Sequence, residues 1–149
     1  MFLSFIILTF TILACDLPTD IGEIGDTQSD GQISLTVNDV FIGEETLFGE
    51  LPKGEIWLQI EVTLQNVGQV RRTINTLLMF ELEDEFEPYD VDIFAIDAGE
   101  LDGDLNVGER KTGVLTFAVN ENSETFILYF TPNINQPGTL QFEINLNDE

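Results

Sequence analysis

Short stretches in which apolar and polar residues alternate recur along the chain after residue 31. The clearest is Glu55–Asn66, whose regularly spaced apolar positions are Ile56, Leu58, Ile60, Val62 and Leu64. A period of two is typical of a β-strand with one buried face, because successive side chains point to opposite sides. The pattern therefore predicts a strand here, with Trp57 on the face opposite the core.

Other segments carry similar apolar patterns and are separated by Gly, Asn, Asp or Pro. They predict strands over residues 33–42, 76–83, 91–96, 111–119, 125–130 and 139–146. No long segment shows the 3.6-residue period of an amphipathic helix. About seven or eight short strands with turn residues between them predict an all-β fold, an antiparallel β-sandwich or barrel.

The chain opens with an apolar segment that contains no charged residue before Asp16. It is shorter than the roughly 20 apolar residues that span a bilayer, so residues 1–14 are predicted to be a signal peptide. The sequence Ile12-Leu13-Ala14-Cys15 resembles a bacterial or archaeal lipobox, which implies a lipid on Cys15. Lys and Arg are absent before Lys53, so the basic start of a signal peptide is missing. Cleavage after Ala14 without lipidation and retention of the apolar segment are the alternatives.

Cys15 is the only cysteine of the chain. A single thiol in an exported protein has no internal disulfide partner, and lipidation accounts for it. Residues 15–31 are rich in Asp, Gly, Ser and Thr, a composition that predicts a lipid-anchored, flexible acidic tether. The predicted organisation is thus a signal peptide (1–14), a tether (15–31) and one domain (32–149).

The charge is very uneven, with 28 acidic and 5 basic residues and a formal net charge of −23. Such a chain is not expected to bind nucleic acid, because that requires clustered Lys and Arg. The whole-chain charge also argues against docking of the domain on anionic lipid head groups. The acidity is interpreted either as a solubility feature, for example of a salt-rich habitat, or as a cation site.

Residues that carry common catalytic chemistry are scarce. The sequence contains no His, and its only thiol lies outside the predicted domain. Ser29, Ser34 and Ser123 therefore have no His to activate them. No pair of carboxylates is singled out by spacing, and the chain is predicted not to be an enzyme.

A calcium site is the more specific chemical hypothesis. Asp102, Asp104 and Asn106 occupy the first, third and fifth positions of a loop of the EF-hand type, but Val107 and Gly113 replace its Gly and its bidentate Glu. A site formed by sandwich loops needs only converging oxygen atoms. The predicted ligands are Asp97, Glu100, Asp102 and Asp104, and a second acidic group comprises Asp84, Glu85, Glu87, Asp90 and Asp92. The alternative is two solvated acidic loops.

Two basic pairs, Arg71-Arg72 and Arg110-Lys111, stand out against this acidity. They are predicted to lie in or beside turns and to pair with nearby carboxylates, with contact to an acidic partner or to head groups as the alternative. Trp57 is predicted to be covered rather than exposed as a contact residue.

The order of the predicted strands also resembles a known family. The resemblance is carried by Pro52-Lys53-Gly54-Glu55 before the long strand and above all by residues 105–119 (LNVGERKTGVLTFAV), followed by residues 126–130 (FILYF). These segments are similar to an immunoglobulin-like domain of unknown function found in bacterial and archaeal lipoproteins and related to secreted immunoprotective antigens of actinobacteria. The resemblance covers residues 32–146.

It implies an immunoglobulin-like β-sandwich outside the cytoplasm, without enzymatic activity or a cofactor. The predicted role is binding, adhesion or envelope interaction, at a membrane that the chain reaches through the lipid on Cys15. Its partner is an unknown protein or small ligand. A calcium-dependent or ligand-binding accessory lipoprotein of a transport or sensing system is the alternative.

Overall fold

The computed structural model describes residues 20–43, 51–92, 100–135 and 139–147. These residues form two four-stranded sheets, a two-stranded ribbon and one helical turn. In chain order the elements are β1 (Thr27–Ser29), β2 (Ile33–Gly43), β3 (Glu55–Asn66), β4 (Arg72–Ile74), α1 (Thr76–Met79), β5 (Phe80–Glu83), β6 (Pro88–Tyr89), β7 (Gly103–Leu105), β8 (Arg110–Asn120), β9 (Thr125–Phe130) and β10 (Leu140–Asn145).

The two main sheets have the strand orders β1-β2-β3-β8 and β10-β9-β5-β6, and β4 pairs with β7 in the ribbon. Every strand pairing is antiparallel. The prediction of an all-β antiparallel sandwich is confirmed. No helix among the described residues is both long enough and apolar enough to cross a membrane.

The core lies between the sheets and is built by the alternation seen in the sequence. In β3, Leu58, Ile60, Val62 and Leu64 are fully buried, as the period of two predicts. They pack with the buried aromatic side chains of the other strands, among them Phe117, Phe126, Phe130 and Phe142. Trp57 is only 9% exposed although it lies on the other face, which confirms that it is covered.

Strand β2 contains an irregularity that changes which sequence positions face the core. The register against β3 shifts between Val37 and Asp39, so Asn38 is an extra residue, a β-bulge. Before the bulge the buried residues are Ile33, Leu35 and Val37, whereas after it Val40 packs against the core. The bulge therefore shifts the alternation by one residue, so that Val40 rather than Asp39 faces the core.

The predicted boundary between tether and domain is wrong. Residues 27–29 pair with β2, and Gly22 forms a parallel bridge with Phe142 of β10. These edge contacts depend on main-chain hydrogen bonds, which a polar composition does not prevent. The described fold thus begins at residue 20, and residues 15–19 lie outside the described residues.

Two predicted strands also need correction. The segment predicted as a strand over 76–83 begins with the helical turn α1, because the side chain of Asn75 accepts a hydrogen bond from the backbone N–H of Leu78 at 3.2 Å. In the segment predicted as a strand over 91–96, Val91 and Asp92 lie outside the strands, and residues 93–96 lie outside the described residues. Val91 is buried in the core, which explains its apolar character.

The sandwich has two distinct ends. One end, called the Asn66 end, is where β3 and β9 finish and where β5, β8 and β10 begin. The paired residues Gln65–Arg110, Phe80–Phe130 and Leu140–Phe130 place these strand ends side by side. At the Asp84 end lie the turn of residues 84–87 and the connection of residues 120–124, joined by a hydrogen bond from Ser123 to Asp84.

Candidate functional site

A groove with a mixed apolar and acidic lining opens on one edge of the sandwich, between β2 after its bulge and the end of β10. It has a volume of about 650 Å³. Its apolar lining comes from Ile24, Val40, Phe41, Ile42 and Leu146. Ile42 is 54% exposed, and Ile24 and Phe41 are also largely exposed. Clusters of exposed large apolar side chains mark interaction surfaces in soluble proteins.

The main chain beside this groove belongs to an edge strand. Residues 39–43 pair with β3 on one side, whereas β1 covers only residues 34–36 on the other. The turn before β1 extends this cover as far as Val37, whose carbonyl accepts a hydrogen bond from Gly25 N–H at 2.7 Å. In the described part of the chain no strand pairs with the free edge of residues 39–43. An uncovered edge with apolar side chains is a template for one more strand.

Acidic side chains surround the groove. Glu23, Asp39 and Glu143 contribute to its wall, and the described groove residues include no Lys or Arg. The lining therefore combines exposed apolar side chains with three carboxylates, which we call the rim, and it favours a ligand that is both apolar and cationic.

The most strongly hydrogen-bonded acid of the described chain lies elsewhere, at the Asp84 end. Asp84 is 8% exposed. Its Oδ1 accepts the backbone N–H groups of Phe86 and Glu87, both at 2.8 Å. Its Oδ2 accepts the hydroxyls of Tyr89 at 2.7 Å and Ser123 at 2.5 Å. These four donors occupy both carboxylate oxygens, so Asp84 fastens the 84–87 turn to the neighbouring connection.

The titration of this cluster follows from the same contacts. Burial by itself would raise the pKa of Asp84, but the hydrogen bonds from Ser123, Glu87, Tyr89 and Phe86 outweigh burial and lower the pKa to about 2. Burial and the bond to Asp84 raise the pKa of Tyr89 to about 12. Ser123 donates its hydroxyl to the Asp84 carboxylate, which its low pKa makes a weak base, and this bond stabilises the turn.

The predicted calcium ligands are only partly within the described chain, because Asp97 is outside it. Asp102 Oδ1 accepts the backbone N–H of Thr76 at 2.7 Å. Asp104 accepts the Thr73 hydroxyl at 3.1 Å and pairs with Arg71 at 3.0 Å. Glu100 is exposed. Across the described ranges no group of three or more His, Cys, Asp or Glu is arranged to hold a metal.

Calcium binding at Asp97, Glu100, Asp102 and Asp104 stays a prediction, which a melting-temperature titration tests directly. A saturable rise in melting temperature that is lost in Asp102→Asn and Asp104→Asn variants would support the site. A rise reproduced by Na⁺ at equal ionic strength would instead reflect screening of the acidic surface.

The prediction that the two basic pairs bond to nearby carboxylates is confirmed in part. Arg71 pairs with Asp104, but Arg72 donates to the side chain of Gln32 at 2.9 Å. Lys111 Nζ donates to the backbone carbonyl of Asp102 at 2.7 Å. Cys15, the predicted lipidation site, lies outside the described residues.

Sequence reasoning missed the groove. The only local signal for it was the change of phase in β2, where the apolar positions 33, 35 and 37 are followed by the uninterrupted run 40–42. A change of phase within one strand is what a bulge produces.

Comparison with solved structures agrees with this architecture. The "putative lipoprotein (ycdA)" of Bacillus subtilis superimposes with a TM-score of 0.67 at 17% identity over 83% of this chain, which spans 39% of that protein. The yjhA protein of the same organism gives 0.66 at 23% identity, with 84% of this chain and 99% of that one covered. The secreted protein MPT63 of Mycobacterium tuberculosis gives 0.60 at 17% identity, covering 84% and 97%. No curated protein matches the chain in sequence.

The fold thus defines a β-sandwich of the kind found in these proteins. Residues 22–143 match the family described as Domain of unknown function (DUF4352). The chain belongs to this family, which confirms the resemblance noted in the sequence. The match begins at residue 22, close to the first main-chain contacts of the fold.

Proposed function

We propose that the chain is a non-catalytic, extracytoplasmic domain that is anchored in the membrane by a lipid on Cys15 and binds an extended, basic segment of a partner protein. The segment adds a strand to residues 39–43 of β2 and places its apolar side chains in the groove. The observation that carries this proposal is the coincidence of an edge of β2 that no described strand covers with a groove lined by exposed apolar side chains.

The chemistry of the partner follows from charge. The rim residues Glu23, Asp39 and Glu143 attract Lys or Arg, and the net charge of −23 steers basic partners over a longer range. Main-chain hydrogen bonds supply affinity in this mode of recognition, and pockets for alternate side chains supply specificity. The extracytoplasmic location is supported by the likeness to a protein named as a lipoprotein and to a secreted one.

A labelled peptide of alternating valine and lysine tests the groove when it is titrated into the full chain and followed by fluorescence anisotropy. We expect saturable binding that a peptide of alternating valine and glutamate does not show. Ile42→Ser removes apolar contact from a half-exposed position and should weaken binding about fivefold. Ile134→Ser is the matched control, because Ile134 is similarly exposed, at 57%, and lies near the Asn66 end.

Equal weakening by both substitutions would contradict the proposed groove and would indicate diffuse electrostatic adsorption. The anchor is tested separately by mass spectrometry of the chain recovered from membranes. A mature chain that begins at a diacylated Cys15 is the expected result. A chain that begins at an unmodified residue or retains residues 1–14 would refute anchoring through Cys15 and leave the groove unaffected.

A further inference from the structure

The Asn66 end carries a cluster of exposed valines on ordered turns. Val67 and Val70 follow β3, Val107 precedes β8, and they are 47%, 55% and 58% exposed. The side chain of Asn66 ties the two turns together, since its Nδ2 donates to the carbonyls of Val70 at 2.8 Å and Leu105 at 2.9 Å. The turns that carry the exposed valines are therefore fixed to each other at the same end of the sandwich.

The charge of this end differs from the charge of the rest of the domain. The basic residues Arg71, Arg72, Arg110 and Lys111 lie in or beside its turns and strands, and the only other basic residue is Lys53. Acids also lie at this end, and each has a partner: Asp104 pairs with Arg71, Glu109 accepts from Asn106, Asp102 accepts from Thr76, and Asp30 accepts from Gln32 and Ile33. The opposite end carries Glu85, Glu87, Glu121 and Glu124.

The path of the chain points to the same end. Gly22 N–H donates to the Gln141 carbonyl at 2.8 Å, and the Gly22 carbonyl accepts Glu143 N–H at 2.8 Å. Residues 20–22 therefore run parallel to β10, from its Leu140 side. The chain enters the described fold from the Asn66 end. Cys15 is five residues before Asp20, so even a fully extended connection reaches only about 17 Å.

From these three observations we infer that the Asn66 end docks on a phospholipid surface. The three valines enter the head-group layer, and the guanidinium group of Arg110 faces the lipid phosphates. The inference rests on the proposed anchor at Cys15, which holds the domain within reach of the bilayer. The groove and the acidic Asp84 end then face away from the membrane.

The whole-chain charge of −23 predicts that anionic head groups repel the domain. The uneven distribution of the charged residues over its surface changes that expectation. The acids of the far end lie well beyond the Debye length of about 8 Å at physiological salt, so their repulsion is largely screened.

Hydrogen exchange of the full chain on vesicles tests the inference. Cys15 is the only thiol, so a maleimide lipid couples the unlipidated chain to vesicles of phosphatidylcholine and phosphatidylglycerol at that position alone. We expect amide exchange in the 66–71 and 106–109 turns to slow about tenfold on vesicles relative to detergent, with no change in residues 84–87 and 120–124. A triple Val67→Ser, Val70→Ser, Val107→Ser variant should lose this protection.

Phe86→Ser is the matched control, because Phe86 is 77% exposed at the Asp84 end and its removal should leave the pattern unchanged. Protection at the Asp84 end, or at neither end, would overturn the inference, and the wild-type pattern alone decides this if the triple variant folds poorly. The coupling imposes the anchor chemically. A failure of natural lipidation, seen by mass spectrometry, is therefore distinguishable from a failure of docking, seen by exchange.

Discussion

Replacement of Asp84 by Asn is the sharpest test of how this fold is held together. The carboxylate accepts four hydrogen bonds and is 8% exposed. Asn keeps one oxygen for the two backbone donors, and the hydroxyls of Tyr89 and Ser123 can rotate to accept from its amide. The variant should therefore fold, and the decrease in its free energy of unfolding should measure what the negative charge adds to these bonds.

The magnitude follows from linkage. The pKa of Asp84 falls from 3.8 to about 2 on folding, and each unit is worth about 1.4 kcal/mol, so ionised Asp84 contributes about 2–2.5 kcal/mol to the free energy of unfolding. Because the folded pKa is the lower one, this contribution is complete above pH 3.8. It is lost as the pH falls toward 2.

Urea unfolding followed by the fluorescence of Trp57, the only tryptophan, measures this difference. At neutral pH we expect Asp84→Asn to lower the free energy of unfolding by about 2–2.5 kcal/mol, and the gap from wild type to close between pH 4 and about pH 2. Glu85→Gln is the control, since it removes one charge from an exposed position of the same turn. A gap below about 0.5 kcal/mol at neutral pH, or one that persists at pH 2, would refute the assignment of charge-assisted bonding to Asp84.

Three further substitutions test the fold by the same urea assay. Asn66→Ala deprives the carbonyls of Val70 and Leu105 of their donor and should cost about 2–3 kcal/mol; an effect below about 0.5 kcal/mol would show that the tie between the turns is dispensable. Phe117→Ala opens a cavity at a fully buried position and should cost about 3–5 kcal/mol, and a smaller loss would indicate that the core collapses to fill it. Gly108→Ala places a Cβ at φ +78°, where no neighbouring atom obstructs it, so backbone strain alone should lower the free energy of unfolding by about 1–2 kcal/mol. An unchanged free energy of unfolding would contradict that strain.

Local pattern predicted the regular strands well. The alternation in β3, β8, β9 and β10 identified both the strands and their buried faces, because a period of two is a property of each strand by itself. The helical turn α1 was missed because its cap at Asn75 stabilises only one turn, too short for a helical period to appear. Residues 20–31 were assigned to a tether because their order comes from partners far along the chain.

The candidate surfaces were much less accessible to sequence reasoning. The groove joins Ile24, Ile42 and Leu146, and no local pattern indicates that such distant positions meet. The four donors to Asp84 include Ser123, which is 39 residues away in the chain. The charge of −23 was read from composition, but composition contains no information on where on the surface the few cations lie.

The sequence by itself determined the class of fold, the family, the scarcity of catalytic groups and the prediction of a lipid on Cys15, since these follow from periodicity, motif and residue type. Only the tertiary structure decided which acids are fixed by donors, which strand edge no described strand covers, and which end carries the exposed valines and most of the basic residues. The physical reason is that burial, hydrogen bonding and local charge balance depend on which strands become neighbours. That pairing is set by contacts between residues distant in sequence, such as Gly22 with Phe142 and Gln65 with Arg110.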